Sequence, residues 1–195
     1  MYSSAAGQAR FVITNPDLIF DFQDLSEKQI NEIETHDWGQ YPYSKGLLSC
    51  EFSLGNEPKI LSELFQQGME RFKIIDKDVE LLSVHRQGLH LTSTDLDNPL
   101  PIHADSFEFS GFWTILVHLT GTMGQTKFYN NHIHPREILA FDFSPGRILI
   151  FPSLFAHSGT KPIDGTFRYT MNYRVLVKTH LNNLTLSKSK LNYAE

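Results

Sequence analysis

The chain has 195 residues, 41% hydrophobic and 20% charged, with a formal net charge of −5. This length suits one domain with a sizeable core, and the acidic balance, with Lys and Arg scattered, argues against nucleic acid as the main partner. A lone cysteine, Cys50, excludes an internal disulfide framework, and no apolar run approaches a membrane span.

The segment up to Asp17 has no long apolar core and does not read as a secretory leader, so a cytoplasmic protein with no membrane partner is expected. Ser26 is placed to cap a helix running to about Glu34. Gly39–Gly46, rich in Tyr, Pro and Gly, reads as a loop. A second helix is predicted from Pro58, which suits a first turn, to about Phe72. Its Ile60, Leu61, Leu64, Phe65 and Met69 fall at helical spacing.

From Val79 the pattern changes to short β-like runs separated by Gly, Pro, Asp and Asn. Strands are predicted near Val79–His85, Phe112–Leu119, Thr126–Tyr129, Glu137–Phe141, Arg147–Phe151 and Arg168–Val177. The aromatic content, 12% and led by 15 Phe, agrees with β structure. The fold class is therefore mainly β with flanking helices, an α+β arrangement around a sandwich, barrel or jelly roll. One domain is expected, with residues 1–78 as a mixed support region, 79–180 as the β core and 181–195 as a polar tail.

The chemistry-bearing residues lie in that core. On an extended strand, residues two apart point to the same side, so His103 and Asp105 can offer a nitrogen and a carboxylate oxygen to one point. A second His from elsewhere would complete a two-histidine, one-carboxylate set, which leaves an Fe(II) ion open positions for oxygen chemistry. The segment Gly146-Arg147 to Pro152, then His157, places such a His just beyond an apolar strand. A Gly/Pro-containing loop follows, and the chain re-enters a strand at Arg168. There, alternation puts Arg168, Thr170, Asn172 and Arg174 on one face, and Phe167, Tyr169, Met171, Tyr173 and Val175 on the other.

The order HxD, GRxxxFPxxxxH, a turn-rich loop and an Arg on the next strand resembles the 2-oxoglutarate/Fe(II) dioxygenase superfamily, in its prolyl-hydroxylase-like branch. Gly124-Gln125-Thr126-Lys127-Phe128 resembles that branch's GGxTxF motif, with Gln at the second Gly. The likeness spans about Val79 to Val177. It implies a double-stranded β-helix with His103, Asp105 and His157 as the iron ligands. Fe(II), 2-oxoglutarate as cosubstrate and O2 are the cofactors it implies. The basic partner of the far 2-oxoglutarate carboxylate maps to Arg168, one step farther from the distal His than in many members, with Arg174 as the competing candidate. An Arg fork suits a carboxylate through two parallel hydrogen bonds. The Arg168/Arg174 spacing also resembles the alkylation-repair branch, against which the acidic balance argues.

Tyr129 and His118 are further cosubstrate-binding candidates, each set against plain core packing. His132 and His134 read as a surface loop, Phe107, Phe109, Phe112 and Trp113 as core or pocket rim, and His85 and Arg86 as within reach of a substrate. The resemblance implies hydroxylation of an unactivated C–H with release of succinate and CO2, and Asp105 argues against halogenation. A small molecule, amino-acid-like or a natural-product intermediate, is the expected substrate. A peptidyl or prolyl target is the second reading, and a non-catalytic cupin-like binding protein the rival from another class.

Overall fold

The computed structural model describes residues 14–41, 49–53, 56–93, 101–106, 111–121, 124–160, 162 and 167–184. The chain forms nine strands and two principal helices: β1 (Phe20–Phe22), α1 (Glu27–Thr35), β2 (Ser49–Glu51), α2 (Lys59–Ile75), β3 (Glu80–Ser93), β4 (Phe112–Gly121), β5 (Gln125–Tyr129), β6 (Glu137–Asp142), β7 (Ile148–Pro152), β8 (His157–Gly159) and β9 (Phe167–Lys178). One sheet has six strands in the order β1-β7-β4-β9-β3-β2, and the other has three in the order β6-β5-β8. Every strand pairing is antiparallel. Together they form a double-stranded β-helix with helices on one outer face.

Both helices follow local signals. Ser26 and Gln29 close a capping box at the start of α1, each side chain answering the other's backbone N–H. Pro58 stands one residue before α2, as its N-cap, and the helix runs one turn past the expected end, to Ile75. The apolar stripe of α2 buries Leu61, Leu64 and Phe72 against the six-stranded sheet. Phe72 meets Trp113 at a ring-centroid distance of 4.9 Å, and Phe65 meets Tyr173 at 5.1 Å. Gly68 lies over Ile115, where an added Cβ would stand 2.5 Å from Cγ2, so the close approach of helix and sheet requires a glycine.

Strand β4 explains its own composition. Trp113, Ile115 and Val117 face the helices, while Thr114, Leu116 and His118 face the interior between the two sheets, and all six are buried. A strand covered on both sides reads as a near-continuous apolar run. The six predicted strands are present, with β3 extending eight residues beyond its expected end. Strands β1, β2 and β8 are not among those six. Each has three residues, too few to display a period, and each exists because it pairs with a longer neighbour, β7, β3 or β5. Residues 42–46 of the expected Tyr/Pro/Gly loop lie outside the described residues, and Trp38–Gln40 forms a short 3-10 turn before them. Past β9 the chain makes a helical turn at 181–184, anchored by buried Leu181 and by Trp113 Nε1, which donates to Asn182 Oδ1 at 2.9 Å. The remainder of the polar tail is outside the described residues.

Candidate active site

The interior between the sheets opens into a cavity of about 260 Å³ whose lining comes from β3, β4, β5, β8, β9 and the segment before Asp105. Three of its residues, His103, Asp105 and His157, bring one ligand atom each to within 4.8 Å of one another. Asp105 Oδ1 lies 3.8 Å from His103 Nε2, and Asp105 Oδ2 lies 3.7 Å from His157 Nε2. Among the described residues this is the sole cluster of three or more such groups.

Backbone pairing creates the cluster. His103 and His157 exchange both main-chain hydrogen bonds, at 3.0 and 2.9 Å, as an isolated antiparallel bridge. That bridge clips the HxD segment onto the start of β8 and sets the two imidazoles 4.4 Å apart. The Nδ1 of His103 lies 2.9 Å from the Pro101 carbonyl, and the Nδ1 of His157 lies 3.0 Å from the Phe155 carbonyl. A carbonyl only accepts, so each Nδ1 carries a proton, and in the neutral imidazole that leaves Nε2 with a lone pair facing the cluster. Ligating histidines are oriented in this way.

Asp105 is held with equal care. Thr114 donates its hydroxyl to Oδ2 at 2.7 Å, and Asn172 Nδ2 reaches both carboxylate oxygens at 3.1 Å. Burial pushes the Asp105 carboxyl up, but His157, the Thr114 hydroxyl, His103 and Asn172 outweigh it and hold the group below its ordinary value. Burial likewise lowers His157, against the pull of Asp105. The centre combines an anionic carboxylate with two imidazoles whose Nε2 atoms face it, a donor set that in its neutral-imidazole form fits a divalent cation of the Fe(II) type. Ligand atoms about 2.1 Å from a common ion would stand about 3 Å apart. The two carboxylate–imidazole separations, 3.8 and 3.7 Å, lie within an ångström of that.

Arg168 lies in the same cavity and is 2% exposed. Its Nη1 donates to the Gln125 carbonyl at 3.4 Å, and its guanidinium stands 5.6 Å from the Phe143 ring centre. Its Nε is buried without an acceptor among the described residues. Burial lowers its pKa to about 10. A buried cation with an unanswered donor is costly by itself and suits an incoming anion. Arg174 is placed differently: it does not line the cavity, and its Nη1 donates to the Asp105 main-chain carbonyl at 2.5 Å.

His118 and Tyr129 lie beside the cavity lining. The Ser144 N–H donates to His118 Nδ1 at 3.3 Å, so Nε2 carries the proton and donates to Thr126 Oγ1 at 3.0 Å. Burial, with Arg168 and Arg147 nearby, drives His118 down to about 3, so it stays neutral. Tyr129 shares a hydrogen bond with Ser158 Oγ at 3.0 Å, and Ser158 lines the cavity. In the glycine-containing motif, Thr126 faces the cavity, Phe128 is fully buried and the Gln125 carbonyl receives Arg168. His132 and His134 lie in bends of the 130–136 loop. His85 shares a hydrogen bond with Ser83 and meets the Phe112 ring edge-on, outside the cavity, whereas Arg86 lines it. Phe107 and Phe109 are outside the described residues, and Phe112 and Trp113 are core.

His90, Thr114, Leu116, Thr170 and Asn172 also belong to the site or its support and were not singled out from sequence. Two carried a readable signal: Thr114 is a polar residue inside an apolar strand, and Asn172 shares the alternating face with Arg168.

No family model matches the sequence, and no curated protein does. Solved structures match in shape. EvdMO1 superposes with a TM-score of 0.57 at 10% identity, over 86% of this chain and 48% of its own, so this chain spans about half the length of that protein. SnoK, a non-haem alpha-ketoglutarate-dependent carbocyclase from nogalamycin biosynthesis, gives 0.57 at 10% identity over 86% of both chains. A prolyl hydroxylase from Trichoplax adhaerens, solved with a hypoxia inducible factor peptide fragment, gives 0.55 at 14% identity over 90% of this chain and 88% of its own. What these matches share with this chain is the double-stranded β-helix fold.

Proposed function

We propose that this protein is a non-haem Fe(II)- and 2-oxoglutarate-dependent dioxygenase that hydroxylates an unactivated C–H of a small molecule. One observation carries the reading: a two-histidine, one-carboxylate cluster and a buried arginine with an unanswered donor share one cavity. Other barrel proteins have the fold; this pairing of groups is what the reaction needs. His103, Asp105 and His157 hold the iron, and Arg168 receives the far carboxylate of 2-oxoglutarate through its fork. Bound there, iron with 2-oxoglutarate and O2 supplies the oxidising power, with succinate and CO2 as co-products.

The chain's own residues do the positioning. Thr114 and Asn172 lock the Asp105 carboxylate so that its oxygens face the two imidazoles. The Pro101 and Phe155 carbonyls fix the imidazole tautomers. Phe128 and Phe151, both fully buried, pack beside His157 at ring distances of 5.9 and 5.0 Å and keep water from that side. Substrate then has to be placed with one C–H against the open side of the centre. A cavity of about 260 Å³ has room for a small molecule.

The test is anaerobic titration of the metal-free protein with Fe(II) and then 2-oxoglutarate, followed through the visible charge-transfer band of the chelate. A band that is lost in His157→Ala supports the assignment. Iron-loaded, folded protein without the band overturns it in favour of a cupin-like binding module, and a band unaffected by His157→Ala removes His157 from the ligand set.

A further inference from the structure

Strand β3 brings to the cavity a second set of polar groups that iron and cosubstrate do not use. Arg86, Gly88, His90 and Thr92 fall on one face of β3 and stand opposite Arg174, Asn172, Thr170 and Arg168 of β9. The guanidinium at one end of this row, Arg168, is matched at the other end by Arg86, which also lines the cavity. Gly88 makes room between them. A Cβ there would come within 2.9 Å of His90 Nε2 and 3.4 Å of Arg86 Nε, so both side chains lean into the space above the glycine. Gly88 stands opposite Asn172, whose amide holds Asp105. One same-face step along a strand is about 7 Å, so Arg86 is within the length of a small molecule from the metal centre.

Among the described residues, the charges around Arg86 do not balance. Arg86 and Arg174 are direct cross-strand neighbours, and like charges so placed repel. Arg86 Nη2 meets one carboxylate, Glu51 Oε1, at 3.0 Å, and the Glu51 side chain is 63% exposed. The Nε atoms of both arginines are buried without an acceptor among the described residues. A divalent metal and a dianionic cosubstrate cancel one another, which leaves Arg86, Arg168 and Arg174 against Asp105 and Glu51. Among the described residues, one positive charge remains over. His90 does not add to it, because burial and then Arg86 bring it down to about 4 and keep it neutral.

We propose that the substrate is a small carboxylic acid whose carboxylate docks on Arg86, over Gly88 and beside Arg174, so that its carbon chain runs toward His103, Asp105 and His157. This deepens the oxygenase reading and rests on it for the direction in which the substrate points. Arg86 is then a substrate-binding residue, and Arg174, which grips the Asp105 main chain, is a positioning residue. Glu51 competes with the incoming carboxylate for the Arg86 fork.

The experiment uses ligand-observed NMR on the full chain loaded with Mn(II) and saturated with 2-oxoglutarate, so that Arg168 is already engaged. The probes are pentanoate and its uncharged counterpart pentanamide. Pentanoate is expected to bind at least about tenfold more tightly than pentanamide, the least that a charge-assisted hydrogen bond contributes. Its terminal methyl should relax faster than the protons beside its carboxylate, because the methyl lies nearer the metal. Arg86→Gln should remove the preference for pentanoate while leaving 2-oxoglutarate affinity unchanged, and Glu51→Gln should tighten pentanoate. Should Arg86→Gln fail to fold, Arg86→Lys keeps the charge, loses the fork and is expected to lie between. Equal binding of the two probes, no binding of pentanoate, or a preference untouched at Arg86 overturns the proposal even if metal and 2-oxoglutarate bind. Failure of Mn(II) or 2-oxoglutarate to bind, with the Arg86-dependent preference intact, instead removes the oxygenase reading and leaves the carboxylate site.

Discussion

Replacing Arg168 by Met separates a structural arginine from one kept for a ligand. The guanidinium is almost wholly buried, holds one long hydrogen bond to the Gln125 carbonyl and leaves Nε unanswered. Its pKa, lowered from 12.5 to about 10 by burial, corresponds to a desolvation cost of about 3 kcal/mol at 1.36 kcal/mol per unit. Met fills similar volume without that cost. The metal-free Arg168→Met protein should therefore be as stable as the parent or more so by about 1–3 kcal/mol, a rise in Tm of several degrees for a chain of this size. Binding of 2-oxoglutarate should suffer in the opposite sense. Removing one side of a buried charge pair costs about 2–5 kcal/mol, which is a rise in Kd of about thirtyfold to a few thousandfold. Thermal melts with and without 2-oxoglutarate, together with anaerobic calorimetry on Mn(II)-loaded protein, measure both. A Kd changed less than about threefold, or a protein destabilised by more than 2 kcal/mol, would show that Arg168 serves the fold. A larger loss of affinity in Arg174→Met would transfer the role to Arg174.

Thr114→Val keeps the shape of the side chain but removes the hydroxyl that Asp105 Oδ2 accepts from. Metal affinity is expected to fall about 10- to 100-fold, read by Mn(II) binding in electron paramagnetic resonance; unchanged affinity would mean that Asn172 alone holds the carboxylate. The third prediction concerns acid. His118 is about 3 folded against 6.5 unfolded, so the unfolded chain takes up the proton first. Its stability contribution is complete above about pH 6.5 and drains as pH falls toward 3. From pH 6.5 to 5 the loss is about 2 kcal/mol, and His118→Asn, whose carbonyl still accepts from Ser144, should lose about that much less in urea titrations at the two pH values. Equal losses in the two proteins would refute this. Finally, Gly68→Ala sets a gain of about 1 kcal/mol in helix propensity against overpacking of about 1–3 kcal/mol on Ile115. Net destabilisation is expected in chemical denaturation, and a more stable variant would show that α2 can lift off β4 freely.

Parts of this molecule follow from the chain read alone because their causes are local. Ser26 and Gln29 cap α1 across three residues, the stripe from Ile60 to Met69 defines the buried face of α2, and two-residue alternation puts Arg168, Thr170 and Asn172 on one face of β9. The pairing of His103 with Asp105 is local for the same reason, since the side-chain period of an extended segment is two. The short strands β1, β2 and β8 carry no such signal, because their hydrogen-bond partners are about thirty or more residues away in sequence and three residues have no period of their own.

The site shows the same division. Residue types and their order in the chain were enough to nominate two histidines, one carboxylate and two arginines. They could not say which arginine enters the cavity, because Arg168 and Arg174 share a face and differ only in what the sheets bring opposite them. Register decides it: β9 sets Arg168 against Thr92, inside the cavity, and Arg174 against Arg86, above the Asp105 main chain. The meeting of Thr114 and Asn172 on Asp105, and of His90 and Arg86 in the same cavity, is likewise a property of strand pairing across long stretches of chain. Local sequence settles which side a residue points to; only the folded sheets settle what it meets there.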